Sequence, residues 1–130
     1  MRGRALWVTA LAALAACRAS PAPPAVAALV RPVTAASRAD LERAVSQALG
    51  GAPVRLADDA LTRRSLLIVA RAPARGINGV PLNGRELGRP QHFRLLERGS
   101  RCVLLHLETG EWRLLPHTRC HASPEGNSQN

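Results

Sequence analysis

The chain has 130 residues and a formal charge of +9, with 18 arginines and no lysine. A basic surface is typical of proteins that contact nucleic acid, an anionic membrane or an acidic partner, although arginine richness also fits a GC-rich coding sequence without functional meaning. Tyrosine is absent, and beyond residue 16 the aromatic side chains are Phe93 and Trp112 alone. This disfavours lectins and single-strand nucleic-acid binders, which rely on stacked aromatic faces.

Residues 1–16 have the layout of a secretory signal peptide. Arg2 and Arg4 form a charged start, an uncharged apolar stretch runs from Ala5 to Leu14, and small residues follow. The stretch is shorter than the roughly 20 residues that a helix needs to span a bilayer. We therefore expect it to be cleaved, which removes two arginines and lowers the charge from +9 to +7.

The end of this segment, Leu14-Ala15-Ala16-Cys17, resembles the lipobox of bacterial lipoproteins, in which a Leu and two small residues precede an invariant Cys. The resemblance covers the signal alone. It implies that Cys17 receives a diacylglyceryl thioether, becomes the new N-terminus and is acylated on its amine. The alternative is a plain secreted protein with a chance cysteine at the cut.

The resemblance also implies a location. Two or three acyl chains anchor a protein stably, so the mature chain is expected to stay on a membrane of the cell envelope and face the periplasm. Arg18 follows the cysteine, and in the enterobacterial pattern only Asp at this place retains a lipoprotein in the inner membrane. The outer membrane is therefore favoured, and export makes nucleic acid an unsuitable partner.

Residues 17–36 are interpreted as the lipidated cysteine and a semi-rigid tether. Proline lacks an amide proton and keeps the residue before it out of helical angles. The segment contains four prolines among alanines and serines, namely Pro21, Pro23, Pro24 and Pro32. This composition predicts a spacer that holds a domain away from the membrane.

A helix is predicted to begin at Ser37 as N-cap, with Asp40 three residues later in the style of a capping box. Apolar residues at positions 41, 44, 45, 48 and 49 fall at helical spacing. Gly50-Gly51 is expected to end the helix. One apolar stripe must then be buried against other elements.

The rest of residues 37–121 predicts a small α+β domain. The predicted strands are a short one at Val54–Leu56, a buried one at Ser65–Arg71, and a meander of His92–Glu97, Cys102–Leu107 and Trp112–Leu115. The expected fold is one helix packed on an antiparallel sheet of about four strands. The meander is apolar on both sides, so the pattern fixes neither the sheet order nor the covered face, and residues 122–130 are expected to be a disordered tail.

Cys102 and Cys120 are expected to form a disulfide, because a small exported domain has a modest core and an oxidising environment. A zinc site is the competing interpretation. Cys102 and His106 share a strand face but stand about 13 Å apart, too far for one ion. Neither metal nor cofactor is therefore expected, but a small metal- or histidine-dependent hydrolase using His106, His117 and His121 remains an alternative.

The long connection 72–91 is the main candidate for binding. It is rich in Gly and Pro, and four arginines lie in or beside it: Arg71, Arg75, Arg85 and Arg89. Arginine suits bidentate pairing with phosphate or carboxylate. Because no nucleophile or phosphate-loop motif is visible, we expect a binding or accessory role toward an anionic envelope component rather than catalysis. A structural role, in which a strand edge pairs with another envelope protein, is the third alternative.

Overall fold

The computed structural model describes residues 20–70, 77–78 and 88–124. These contain one helix and six strands: β1 (Ala25–Val30), α1 (Ala35–Ala48), β2 (Leu66–Val69), β3 (Gln91–Arg98), β4 (Arg101–His106), β5 (Trp112–Leu114) and β6 (Cys120–Ala122). The predicted α+β fold, with a helix on an antiparallel sheet, is confirmed, although the sheet has six strands rather than four. No helix in the described ranges is long and apolar enough to cross a membrane.

The strands follow the order β5-β4-β3-β1-β6, and β2 also pairs with β3. Two strands, β2 and β1, pair along the same edge of β3. Its first half pairs with β2, from Gln91 to Arg94, and its last three residues pair with β1. At Ala28, β1 leaves β3 and pairs with β6 instead. All of these pairings are antiparallel. The tail predicted at 122–130 is wrong at its start, because Ala122 lies in β6 and Ser123 is 7% exposed, while residues 125–130 lie outside the described residues.

The strand β1 corrects the predicted tether, which was expected to reach residue 36. Ala25–Val30 is part of the sheet, and its Ala28 and Val30 are 0% and 2% exposed. Alanine is depleted in strands and proline disfavours them, so the composition concealed this element. The strand fits between Pro24 and Pro32 because both prolines lie outside the ladder.

The helix starts earlier than predicted, since Thr34 and not Ser37 is the N-cap. The Thr34 hydroxyl accepts from the Ser37 amide at 3.0 Å, and the Thr34 amide donates to the Ser37 hydroxyl at 2.9 Å. This reciprocal pair is a capping box one turn upstream of the predicted one. Asp40 is consequently an interior residue of α1, and its side chain is buried.

The C-terminal end of α1 is where Gly50-Gly51 predicted it. The Gly51 amide donates to the Ser46 carbonyl at 2.8 Å and the Gly50 amide to the Gln47 carbonyl at 3.3 Å. Both glycines have positive φ, 78° and 88°. This is the Schellman arrangement, which glycine favours because a side chain would strain the left-handed backbone.

The core lies between α1 and one face of the sheet. Leu41, Ala44 and Val45 of the helix pack into a buried cluster with Phe93, Leu95 and Leu104. Residues 54–56, predicted as a short strand, form no ladder. Instead the Leu56 amide donates to the Glu42 side chain at 3.1 Å, because a helix-side carboxylate is within reach.

The predicted disulfide between Cys102 and Cys120 is present, with a Cα–Cα distance of 6.0 Å. It joins β4 to β6, which are separated in the sheet by β3 and β1. Three strand spacings in a flat sheet would be about 14 Å. The sheet is therefore strongly curved, and the disulfide joins β4 to β6 on its concave side, next to the core.

Candidate functional site

The side of the sheet opposite α1 carries the candidate interface, which we call the outer face. Its positions alternate with the core-facing residues of β1 to β5. The cross-strand register aligns them in two central rows, Leu66–Arg94–Leu105–Trp112 and Ala27–Leu96–Val103–Leu114. Ile68 and His92 lie opposite each other at one end, and Arg98 and Arg101 at the other.

The outer face is apolar at its centre and uncovered by the helix. Ile68, Trp112 and Leu114 are 58%, 47% and 46% exposed, whereas Leu96 between them is 8% exposed. The segment predicted as a buried strand is thus buried on one side alone, because Leu67 and Val69 pack on the core while Ile68 points away. Side chains that meet across strands form one continuous surface.

Three exposed arginines lie on the same face as these apolar side chains: Arg94 in a central row, and Arg98 and Arg101 at one end. None of them pairs with a carboxylate in the described ranges, whereas Arg38, Arg43 and Arg113 elsewhere each do. The Arg98 guanidinium carbon lies 5.8 Å from the centroid of the Trp112 ring. That distance is within the range of a cation–π contact.

A cleft of about 500 Å³ extends this surface beside β2. Its lining combines Leu66 and Ile68 with Arg55, Arg63 and Arg64, and it includes one carboxylate, Asp59. All three arginines are exposed. The cleft therefore offers further positive charge next to the apolar strand.

The N-terminal segment meets the sheet at the turn between β3 and β4. The Arg98 Nε donates to the Pro23 carbonyl at 3.3 Å. A side-chain carbon at Gly99 would lie 3.4 Å from the Pro23 ring. The chain that leads back toward Cys17 thus leaves from the Arg98–Arg101 end of the outer face.

None of the site residues predicted from sequence is among the described residues of the outer face. Cys17, Arg71, Arg75 and Arg85 lie outside the described residues. Arg89 is exposed, and its carbonyl accepts from the Gln91 side chain at 3.2 Å. Since the connection joins Val69 to Gln91, its ends lie at the opposite end of β3 from Pro23.

A second polar cluster, not foreseen from sequence, lies at the Gln91 end of the sheet. His92 Nδ1 is 2.6 Å from Glu108 Oε1, and the His92 amide donates to both carboxylate oxygens at 3.0–3.1 Å. The backbone hydrogen bond from His92, followed by its side-chain hydrogen bond, lowers the pKa of Glu108 to about 2. Glu108 therefore stays ionised and ties the turn after β4 to the start of β3.

His106, a candidate of the hydrolase alternative, is 3% exposed and stacks on Phe93 with ring centroids 4.6 Å apart. Its Nε2 lies 2.8 Å from the side-chain oxygen Oε1 of Gln91 and 3.3 Å from a Glu108 oxygen, and its Nδ1 is 2.9 Å from the Thr109 hydroxyl. Both ring nitrogens are thus engaged. The contacts are those of a packed core histidine.

The structure does not bring the three candidate histidines together. His106 lies opposite Phe93 in the β3–β4 pair. His121 lies opposite Leu29 in the β1–β6 pair, at the other edge of the sheet, and the His117 amide donates to Asp40. Across the part of the chain that the structure describes, no three His, Cys, Asp or Glu side chains are placed to hold one metal ion.

Neither a family model, nor a curated protein, nor a solved structure matches this chain. The geometry of the outer face is therefore the main guide to function.

Proposed function

We propose that the protein is a lipid-anchored lipoprotein of the cell envelope that acts as a binding or accessory module toward an anionic envelope component. The observation that carries the proposal is the outer face. It presents three exposed arginines that have no carboxylate partner among the described residues, beside half-exposed apolar side chains. The anchor rests on the resemblance of Leu14-Ala15-Ala16-Cys17 to a lipobox.

The charge pattern favours an anionic partner over a neutral one. The guanidinium is planar and weakly hydrated, so it binds phosphate or carboxylate in two-point contacts and tolerates an apolar neighbour. Arg94, Arg98 and Arg101 combine these properties on one surface. The predicted loop arginines, of which Arg89 is described, would add charge at the other end of β3.

Binding also accounts for the site better than catalysis does. The His92–Glu108 pair resembles the oriented imidazole of a hydrolase. However, its bonds join two strand-end segments, and His92 makes no described contact with a serine, threonine or cysteine side chain. The pair therefore acts as a structural clasp.

The anchor is tested by fractionation of cells that produce the full chain or its Cys17→Ser variant. The wild-type chain is expected in the membrane fraction, resistant to salt extraction, because acyl chains hold it. The Cys17→Ser variant should appear in the soluble periplasmic fraction. Equal recovery of both in one fraction would remove the lipid anchor from the proposal.

The anionic partner is tested with the soluble Cys17→Ser chain and two purified probes, phosphatidylglycerol vesicles and lipopolysaccharide micelles. Substitution of Arg94, Arg98 and Arg101 by Gln should weaken binding to the recognised probe strongly. Substitution of Arg75, Arg85 and Arg89 by Gln measures how much the connection 72–91 contributes to binding. Arg31, Arg38 and Arg119 lie outside the two central rows of the outer face and give a control with the same change in net charge. Equal losses in all three variants would contradict a defined site.

A further inference from the structure

We infer that the outer face is a membrane-docking surface, which lies against the anionic phospholipid headgroups of the bilayer that holds Cys17. The inference rests on the proposed lipid anchor and deepens it by naming the occupant. Four observations support it: the length of the chain between anchor and sheet, the composition of the outer face, its charge, and the adjoining basic cleft.

The chain length fixes which end of the sheet is near the membrane. Pro23 contacts the β3–β4 turn through Arg98 and Gly99. Cys17 is six residues upstream, and an extended chain covers at most about 3.5 Å per residue, so the acylated cysteine is within roughly 20 Å of that turn. Arg98 and Arg101 are therefore held close to the bilayer surface.

The composition of the outer face matches the headgroup region. Tryptophan is enriched at membrane interfaces, where an amphipathic ring has one apolar side and one wet side. Trp112, Leu114 and Ile68 are each about half exposed on this face, so they can enter the headgroup layer without any loss of core packing. Each such side chain removes apolar area from water on docking.

The charge of the outer face has one sign. No Asp or Glu occupies an outer-face position on the described strands, which carry Arg94, Arg98, Arg101 and His92 there. The described carboxylates occupy other positions: Asp40 and Glu42 on α1, Asp58 and Asp59 in the turn after residue 57, Glu97 on the other face of β3, and Glu108 and Glu111 between β4 and β5. Asp59 lines the adjoining cleft and Glu108 contacts His92, so the separation concerns the strand positions of the outer face. This separation complements an anionic leaflet.

The cleft beside β2 enlarges the contact. Its volume of about 500 Å³ and its three arginines, Arg55, Arg63 and Arg64, adjoin Ile68 of the outer face. A phosphodiester headgroup suits such a lining, because guanidinium donors bind phosphate oxygens in pairs.

A second copy of the chain is a poorer occupant. Two outer faces in contact would bring Arg94, Arg98 and Arg101 of both copies together, and opposed like charges disfavour association. An acidic protein would satisfy the charge. However, the short tether keeps the face beside the bilayer continuously, so the bilayer is the anionic surface present at the highest effective concentration.

The sequence supplies a reporter for the test. Once residues 1–16 are removed, Trp112 is the sole tryptophan, because the other is Trp7. Its fluorescence therefore reports the outer face alone. The mature acylated protein is reconstituted into vesicles of phosphatidylcholine, with or without phosphatidylglycerol, that contain lipids brominated near the top of the acyl chain. Bromine quenches tryptophan on contact.

We expect Trp112 to be quenched in the anionic vesicles at low salt and released at high salt. The Arg94→Gln, Arg98→Gln, Arg101→Gln triple variant should lower the docked-to-undocked ratio by about a hundredfold. The control triple variant Arg31→Gln, Arg38→Gln, Arg119→Gln should remain quenched. Flotation with the vesicles is measured in parallel and reports the anchor independently.

The outcomes separate the two proposals. Protein that floats but shows no quenching in any vesicle keeps the anchor and overturns docking. An emission shift of the unacylated Cys17→Ser chain that depends on protein concentration, measured without vesicles, would instead show a second copy on the face. Protein that does not float overturns both. Equal quenching in neutral and anionic vesicles would also overturn the inference, because the arginines would then have no role.

Discussion

The guanidinium of Arg98 lies over the indole of Trp112, 5.8 Å from the ring centroid. The same side chain donates its Nε to the Pro23 carbonyl at 3.3 Å. One residue thus connects the N-terminal segment to the apolar centre of the outer face. Arg98 thereby links the segment that leads to the proposed anchor with the proposed binding surface.

The two faces of the sheet should differ in their contribution to stability. Phe93 is fully buried and stacks on His106, whereas Trp112 is 47% exposed. Phe93→Ala is expected to lower the free energy of unfolding by about 3–5 kcal/mol, because it leaves a cavity. Trp112→Ala should cost about 1 kcal/mol or less. Urea unfolding followed by circular dichroism measures both, and a Trp112→Ala cost as large as that of Phe93→Ala would show that the outer face is core.

The disulfide is expected to contribute about 3 kcal/mol, because Cys102 and Cys120 close a loop of 18 residues in the unfolded chain. Replacement of both cysteines by serine should lower the urea midpoint by a corresponding amount, and dithiothreitol should have the same effect on the wild-type protein. Added reductant should not change the midpoint of the double variant. A wild-type midpoint that is insensitive to reductant would contradict the bond.

The buried carboxylate of Asp40 should be important for the loop that precedes β6. It accepts from the His117 amide and from the Thr118 hydroxyl, the latter at 3.2 Å, and it pairs with Arg43 at 2.9 Å. Asp40→Ala is expected to cost about 3–5 kcal/mol, since it leaves buried donors unpaired. Asp58→Ala is the control, because the exposed Asp58–Arg38 pair contributes at most about 1 kcal/mol. Equal costs in the two variants would contradict this role of Asp40.

The His92–Glu108 clasp predicts that the free energy of unfolding depends on pH in the acid range. Hydrogen bonds from His92 lower the pKa of Glu108 from 4.5 to about 2. A carboxyl group with a lowered folded-state pKa stabilises the protein above its unfolded value of 4.5, and that contribution is lost as the pH falls through about 2. The Glu108→Gln variant should therefore be less stable than wild type at pH 6 and approach it at pH 2. A constant difference across that range would contradict the clasp.

Part of this architecture is readable from the sequence, for identifiable reasons. Helical periodicity and Gly50-Gly51 predict α1 to within a few residues, and no end of the three meander strands is displaced by more than one residue. The Cys102–Cys120 pair follows from the expected export of a small domain and from the spacing of the two cysteines. In these cases a local pattern and the tertiary structure agree.

The missed features depend on contacts between distant segments. The strand β1 is rich in alanine and is stabilised by pairing with β3 and β6, and β6 has three residues, too few for a periodic signal. The outer face escaped prediction because the meander is apolar on both sides, so the pattern could not identify the side that α1 covers. Arg94 and Arg98 lie on β3 and Arg101 lies on β4, so the three form one charged surface only when these strands pair.

The most direct test of the central claim is an intact mass of the protein extracted from its own membranes, measured without reductant. The account predicts a chain that begins at acylated Cys17 and is two hydrogens lighter than its thiol form, with the disulfide between Cys102 and Cys120. An unacylated chain, or one that begins at another residue, would contradict the lipid anchor and, with it, the docking of the outer face on the bilayer.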